Sequence, residues 1–242
     1  MACEKAKEND DADFIKEAHA IALSDLAQSK VNRGDVASAR ESFEEYVQVR
    51  RQLNESINTS ESRDYLSDAL LELGDFLKDS GDLKAAGEFY QEMIELERKN
   101  YEEVCTEHSA TSYSVCLSGL ASYFNQRGDS AQAKQYFEQS VQILRELDES
   151  VSTPYSRDIF SSALRNSGDF FKENGDLETA GKLYHEMIEL CRKDYEEVGT
   201  THCSANYARG LWELATYFNE AGDSTQARKY FEDYVQMRRQ LN

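Results

Sequence analysis

Apolar residues recur along the chain at steps of three and four, and a Gly-Asp pair breaks the rhythm at fixed intervals. Leu70, Leu73 and Leu77 precede Gly81-Asp82, and Leu117, Leu120 and Phe124 precede Gly128-Asp129. Leu211, Leu214 and Phe218 precede Gly222-Asp223 in the same way. After the pairs come Ala86, Tyr90 and Ile94, then Ala133, Phe137 and Val141, then Ala180, Tyr184 and Ile188, then Ala227, Phe231 and Val235. Each set marks one face of an amphipathic helix. Gly accepts a left-handed backbone and Asp caps the helix that follows, so each pair predicts a tight turn between two helices.

Five such turns, at Gly34, Gly81, Gly128, Gly175 and Gly222, lie 47 residues apart without drift. First helices are predicted near 14–32, 61–79, 108–126, 155–173 and 202–220, and second helices near 36–55, 83–104, 130–148, 177–198 and 224–242. The copies alternate in wording. SGDLKAAGEFYQEMIELERKNYEEV at 80–104 returns as NGDLETAGKLYHEMIELCRKDYEEV at 174–198, whereas YVQVRRQLN at 46–54 returns as YVQMRRQLN at 234–242. Repeats 2 and 4 are thus one type and repeats 1, 3 and 5 another. Small residues stand seven positions before the turn glycine (Ala27, Gly74, Ala121, Gly168, Ala215) and five after it (Ala39, Ala86, Ala133, Ala180, Ala227), where a bulky side chain would force the helices apart.

This spacing resembles the tetratricopeptide repeat (TPR) over nearly the whole chain. The resemblance implies an all-α fold, a right-handed α-solenoid of five helix-turn-helix repeats with ten antiparallel helices over 13–242, preceded by a polar segment at 1–12. The pattern departs from the family's usual 34-residue period and from the Pro that ends its second helix, since Arg51, Arg98, Arg145, Arg192 and Arg239 stand there. NTSESRDYLSDALLELGDF and STPYSRDIFSSALRNSGDF are similar to the linkers of long-period bacterial TPR arrays. Kinesin light chain repeats are a looser likeness, through linker histidines His108 and His202. Pro154 suits the first turn of a helix.

The family's ligand surface is its concave face, lined by first helices. Carried over by position, the peptide-binding residues are Asp75, Lys78 and Asp79; Ser122, Asn125 and Gln126; Arg165, Asp169, Lys172 and Glu173; and Trp212, Thr216, Asn219 and Glu220. Lys78, Asn125, Lys172 and Asn219 form a row able to hydrogen-bond an extended backbone. The family's carboxylate clamp is absent, because its Lys and Asn positions hold Ser24 and Gln28, Leu71 and Asp75, and Ser118 and Ser122. Trp212 reads equally as a ligand anchor and as a contact for a further repeat.

Charge narrows the partner. With 27 basic and 46 acidic side chains the net charge is −19, which argues against nucleic acid and anionic membranes and for a protein or peptide with a basic or polar extended segment. No run of apolar residues is long enough for a membrane span, and the charged amino terminus carries no signal core, so a cytoplasmic setting is expected. Cys3, Cys105, Cys116, Cys191 and Cys203 form no metal-type pair and read as reduced structural thiols.

Catalysis finds little foothold. No phosphate loop, nucleophile elbow or paired metal histidines occur, and Cys105 near His108 and Cys203 beside His202 lack further ligands at usable spacing. No enzyme, cofactor or metal is expected, with His108 and His202 read as caps or packing residues. Glu44-Glu45, Glu102-Glu103 and Glu196-Glu197 read as a solvated outer face. The expectation is a scaffold that binds a peptide in its groove; the alternative is a sensor or oligomerisation array excised from a larger signalling or effector protein. At the ends, Lys30 replaces the apolar residue of later repeats and suggests a solvated first flank, while Leu214, Phe218, Phe231 and Val235 keep the last flank apolar up to Asn242. That asymmetry predicts a piece of a longer array, or a tail-to-tail homodimer through the C-terminal repeat.

Overall fold

A computed structural model of the protein describes the backbone of residues 2–240 and the side chains of 13–240. Its helices are α1 (Ala2–Asn32), α2 (Val36–Ile57), α3 (Ser60–Asp79), α4 (Leu83–Val104), α5 (Glu107–Gln126), α6 (Ser130–Ser150), α7 (Pro154–Glu173), α8 (Leu177–Glu197), α9 (Thr201–Glu220) and α10 (Ser224–Gln240). No strand occurs among the described residues. Two compact units are formed, 1–109 with α1 to α4 and 110–242 with most of α5 and all of α6 to α10. Successive hairpins α1–α2, α3–α4, α7–α8 and α9–α10 are packed pairs, and α5 and α6 are joined by the Ser118–Ser140 hydroxyl contact at 2.9 Å.

The largest difference from the sequence reading is at the start, where α1 begins at Ala2 and not near 14. The backbone of 2–12 is helical because the stretch holds Ala, Glu and Lys with neither Gly nor Pro to break it. Cys3 has its side chain outside the described residues, as do Leu241 and Asn242.

Turn chemistry repeats faithfully. Gly34, Gly81, Gly128, Gly175 and Gly222 all have φ between 76° and 86°. Each following Asp accepts a hydrogen bond from the backbone N–H three residues on, as Asp82 does from Ala85 at 3.2 Å. First helices are capped by threonines in the same 47-residue step. Thr59, Thr106, Thr153 and Thr200 each accept from the N–H three residues later, and Pro154 takes the first helical position behind Thr153. Asn58 and Cys105 adopt left-handed backbone, at φ 51° and 49°, to end α2 and α4; Gly199 does the same at 64°.

Ala27, Ala121 and Ala215 on first helices, and Ala39, Ala86, Ala133 and Ala180 on second helices, are fully buried. In repeats 2 and 4 the small residue is Gly, for a geometric reason. A Cβ on Gly74 would lie 2.7 Å from Tyr90 Cε1, and one on Gly168 would lie 2.8 Å from Tyr184 Cε1. The rings cannot retreat freely, because Tyr90 and Tyr184 each donate a hydrogen bond at 2.5 Å to the carboxylate beside the glycine, Asp75 and Asp169. In repeats 1, 3 and 5 the three positions change together, to Ala27-Gln28 with Phe43, Ala121-Ser122 with Phe137, and Ala215-Thr216 with Phe231.

Polar groups also enter the interior. Buried Arg63 donates to Asn100 and, at 2.8 Å, to Glu103; buried Arg157 donates to Asp194 and lies 3.1 Å from Glu197. These arginines, from the Ser-Arg-Asp linkers, fasten the ends of α4 and α8. Glu97 is 2% exposed, and one of its oxygens meets no donor. Burial, with Asp64 and Asp68 close by, raises its pKa from 4.5 to about 7.

Two tests follow. Gly74→Ala should cost about 1–3 kcal/mol through overpacking, and adding Tyr90→Phe, which unties the ring from Asp75, should make the pair at least about 0.5 kcal/mol less damaging than the sum; strictly additive denaturation midpoints would contradict this packing. Because the folded pKa of Glu97 exceeds the unfolded one, its burial costs nothing below pH 4.5, and the cost grows until about pH 7. Glu97→Gln should therefore leave stability at pH 4 nearly unchanged and raise it at pH 8 by up to about 3 kcal/mol, readable from denaturant melts at the two pH values.

Candidate functional site

Helix α3 sets Asp64, Asp68, Glu72, Asp75 and Asp79 at steps of four, four, three and four, which is one helix face. Against it α1 brings Ser24, whose hydroxyl donates to Glu72 at 3.0 Å, and Gln28. Gln28, Val31, Phe43, Glu72, Asp75 and Asp79 help line a cleft of about 370 Å³. The carboxyls of Asp68 and Glu72 are held above the ordinary carboxylate range, first by partial loss of hydration in the surrounding protein and then by neighbouring carboxylates, Asp64 beside Asp68 and Asp68 beside Glu72. A stripe of crowded anions of this kind gains from any cation laid along it.

The sequence reading placed Asp75, Lys78 and Asp79 here and missed Asp68 and Glu72, although the three-and-four spacing of acids was visible. It also treated Asp75 and Lys78 as available to a ligand. Instead Lys78 Nζ binds Asp75 at 2.6 Å, and Asp75 holds the Tyr90 hydroxyl as well.

In the second unit the inward row is mixed in charge. Arg165 and Asp169 are half-buried, Asp169 is engaged by Tyr184, and Lys172 Nζ lies 3.4 Å from Glu220 Oε2. Ser122 and Thr216 turn their hydroxyls back onto the Ser118 and Trp212 carbonyls at 3.0 and 2.9 Å. Asn125 is half-buried, and Gln126 and Glu173 are exposed. The expected Lys-Asn row is thus tied into the fold at both lysines. Asn219 lines a cleft against α10. Trp212, 47% exposed, packs its ring 5.3 Å from those of Phe231 and Tyr234.

The thiols and histidines have structural contacts. Cys105 occupies the left-handed cap of α4 with its Sγ 3.2 Å from the Tyr101 carbonyl, and Cys203 Sγ accepts from Thr200 Oγ1 at 3.1 Å. His108 and His202 are neither caps nor buried packing; both are exposed, with Nε2 at 3.2 Å from Asp64 and 3.3 Å from Asp158. The described residues contain no grouping of His, Cys, Asp and Glu suited to a metal ion, and no helix among them is long and apolar enough to cross a membrane. The acidic clusters are paired and not simply solvated. Glu44 binds Arg40, Glu102 binds Arg98 and Glu196 binds Arg192, while Glu103 and Glu197 serve the buried arginines.

Comparison with known proteins agrees with this architecture. Residues 67–100, centred on the Gly81-Asp82 turn, match the family model for the tetratricopeptide repeat. Among curated proteins none matches the chain significantly. Among solved structures, BtubC (BKLC) from P. vanneervenii superposes with a TM-score of 0.72 at 18% identity, over 99% of this chain and 87% of that one. A Podosopora anserina protein described as a kinesin light chain, with nearly identical TPR-like repeats, gives 0.64 at 17% identity, over 91% and 95%. A signal transduction ATPase with numerous domains from Pyrococcus horikoshii, carrying a tetratricopeptide repeat sensor, gives 0.60 at 15% identity over 93% of this chain, which spans 30% of that protein. The segment 67–100 thus carries a tetratricopeptide-repeat motif, and the fold of the chain is the all-helical repeat fold of these structures.

Proposed function

We propose that this protein is a non-catalytic interaction array that holds a basic or polar extended segment of a partner against the inward face of its first unit. The observation that carries the reading is the crowding of Asp64, Asp68 and Glu72 on α3, with Asp68 raised in pKa by lost hydration and then by Asp64, and Glu72 by lost hydration and then by Asp68. A lysine or arginine laid along α3 relieves that repulsion, whereas an acidic segment is repelled. Among the described residues the cysteines are unbridged, which accords with a cytoplasmic setting. A second reading, a sensor array belonging to a larger signalling protein, is supported by the likeness to the repeat sensor of the Pyrococcus horikoshii ATPase.

A fluorescent extended peptide alternating lysine and serine is the probe for the first reading. Its affinity should fall by about tenfold or more between 50 and 300 mM salt. Asp68→Asn with Glu72→Gln should weaken it by about tenfold, while the outer-face pair Glu44→Gln and Glu45→Gln should change it by less than about twofold. Equal losses from both pairs would mean diffuse attraction to an acidic surface and not groove recognition.

A further inference from the structure

Two kinds of junction join successive repeats, and the first and last repeats keep different parts of them. Where repeat 1 meets repeat 2, Phe43 packs on Phe76 with ring centroids 5.2 Å apart, Arg51 forks onto Glu92 at 2.9 and 2.6 Å, and Ser24 donates to Glu72. Where repeat 3 meets repeat 4, Phe137 packs on Phe170 at 5.1 Å and Arg145 forks onto Glu186 at 2.9 and 2.8 Å. The receiving Phe and Glu stand the same distance apart both times, 92 − 76 = 16 and 186 − 170 = 16 residues.

Repeat 5 carries the donor half of this junction a third time, in Phe231 and Arg239. Phe43 and Phe137 are each 3% exposed and their neighbours Val47 and Val141 are 1% and 3% exposed, yet Val235 is 44% exposed and Phe231 is only half-buried. A cleft of about 710 Å³ opens along α10 between Ala227, Arg228, Phe231, Val235, Gln236 and Arg239.

The other junction type, from an even repeat to an odd one, is only partly kept in repeat 1, where Leu26, at the place of fully buried Leu214, is 46% exposed and the aromatic contacts are replaced. Between repeats 4 and 5, Tyr217 donates to the Leu177 carbonyl at 2.9 Å, Phe218 packs on His185 at 5.6 Å, and Tyr207 stacks on Tyr195 at 5.5 Å. The matching places in repeat 1 hold Ser29, Lys30 and His19. Lys30 is not solvated, as the sequence suggested, but donates back to Ser42 at 2.8 Å and to the Ser38 carbonyl at 3.2 Å.

We propose that the open flank of α9 and α10 docks a helical hairpin of the even type, presented by a partner protein. Its first helix offers an aromatic ring to Phe231, and its second helix, sixteen residues on, offers a glutamate to Arg239. Trp212 adds a further demand. It stands where repeat 1 has Ser24, the residue that faces Glu72, so the incoming first helix needs a small residue four places before its aromatic one. A second copy of this chain does not meet these demands: its two even flanks are already occupied by its own Phe43 and Arg51 and by Phe137 and Arg145.

The test attaches such a hairpin at high effective concentration. A copy of residues 149–198, carrying Asn166→Ala to make room for Trp212, follows Asn242 in register; a control extension carries residues 102–148, an odd-type repeat. The even extension should add helical circular dichroism and raise the guanidinium midpoint by about 0.3 M or more, while the odd extension should not raise it. Arg239→Glu should remove much of the gain, and Glu186→Arg in the appended copy should restore it. Equal gains from both extensions, no gain from the even one, or a dimer of the unextended chain that Phe231→Glu dissociates in light scattering would overturn the proposal.

Discussion

Two helices can turn back on each other here only because their closest approach is kept clear of side chains, and most of the molecule is organised around that clearance. The buried alanines on both helices set how near the axes come. Where a tyrosine must also fit, even a methyl group is too much, and glycine takes its place at 74 and 168. The tyrosine then brings a hydroxyl into the core, and a buried hydroxyl needs a partner. Asp75 and Asp169 supply it from the next position along the helix. Packing thus dictates which carboxylates of α3 and α7 are tied into the hairpin.

That coupling explains why the array alternates. Glycine, aspartate and tyrosine form one consistent set; alanine, a short polar residue and phenylalanine form the other. Mixing them leaves either a clash or an unpartnered hydroxyl. Alternation within the hairpins carries over to their flanks, because the odd repeat's phenylalanine, freed from any hydroxyl contact, reaches forward to the phenylalanine of the next even repeat. A repeat array generally stabilises itself through nearest-neighbour terms. Here those terms are of two kinds, and each flank is readable as one kind or the other.

The period, the turns and nearly all the helix boundaries were legible in the sequence because each rests on local chemistry: glycine with positive φ, aspartate as a cap, apolar residues at helical steps. Even the threonine caps were present as a 47-residue step, though they drew no notice beside the more conspicuous Gly-Asp pairs. Site residues were less legible. Asp75 and Lys78 were picked out by position, but a sequence does not show that each has already found a partner three residues away or across the hairpin. Asp68 and Glu72 escaped because the resemblance directed attention to positions near the turn, whereas the acidic face of α3 continues two turns further back. His108 and His202 were similarly misread, since a helix's first turn can project a side chain sideways onto a neighbouring first helix as readily as inward.

A net charge of −19 suggests an anionic field on every side, but the distribution of ion pairs gives it a direction. On the second helices acids and bases are interleaved at three- and four-residue spacing. Arg98 lies between Glu95 and Glu102, Arg192 between Glu189 and Glu196, and Arg228 faces Glu232. Such exposed pairs add little stability, yet they cancel charge locally. The crowding that remains in the first unit lies on α3, where Asp64 acts on Asp68 and Asp68 on Glu72, and Ser24 donates to Glu72. Glu97 buried behind them adds to the same electrostatic load and shares its origin, burial and like charge together. Stability is therefore given up along this face of the first unit.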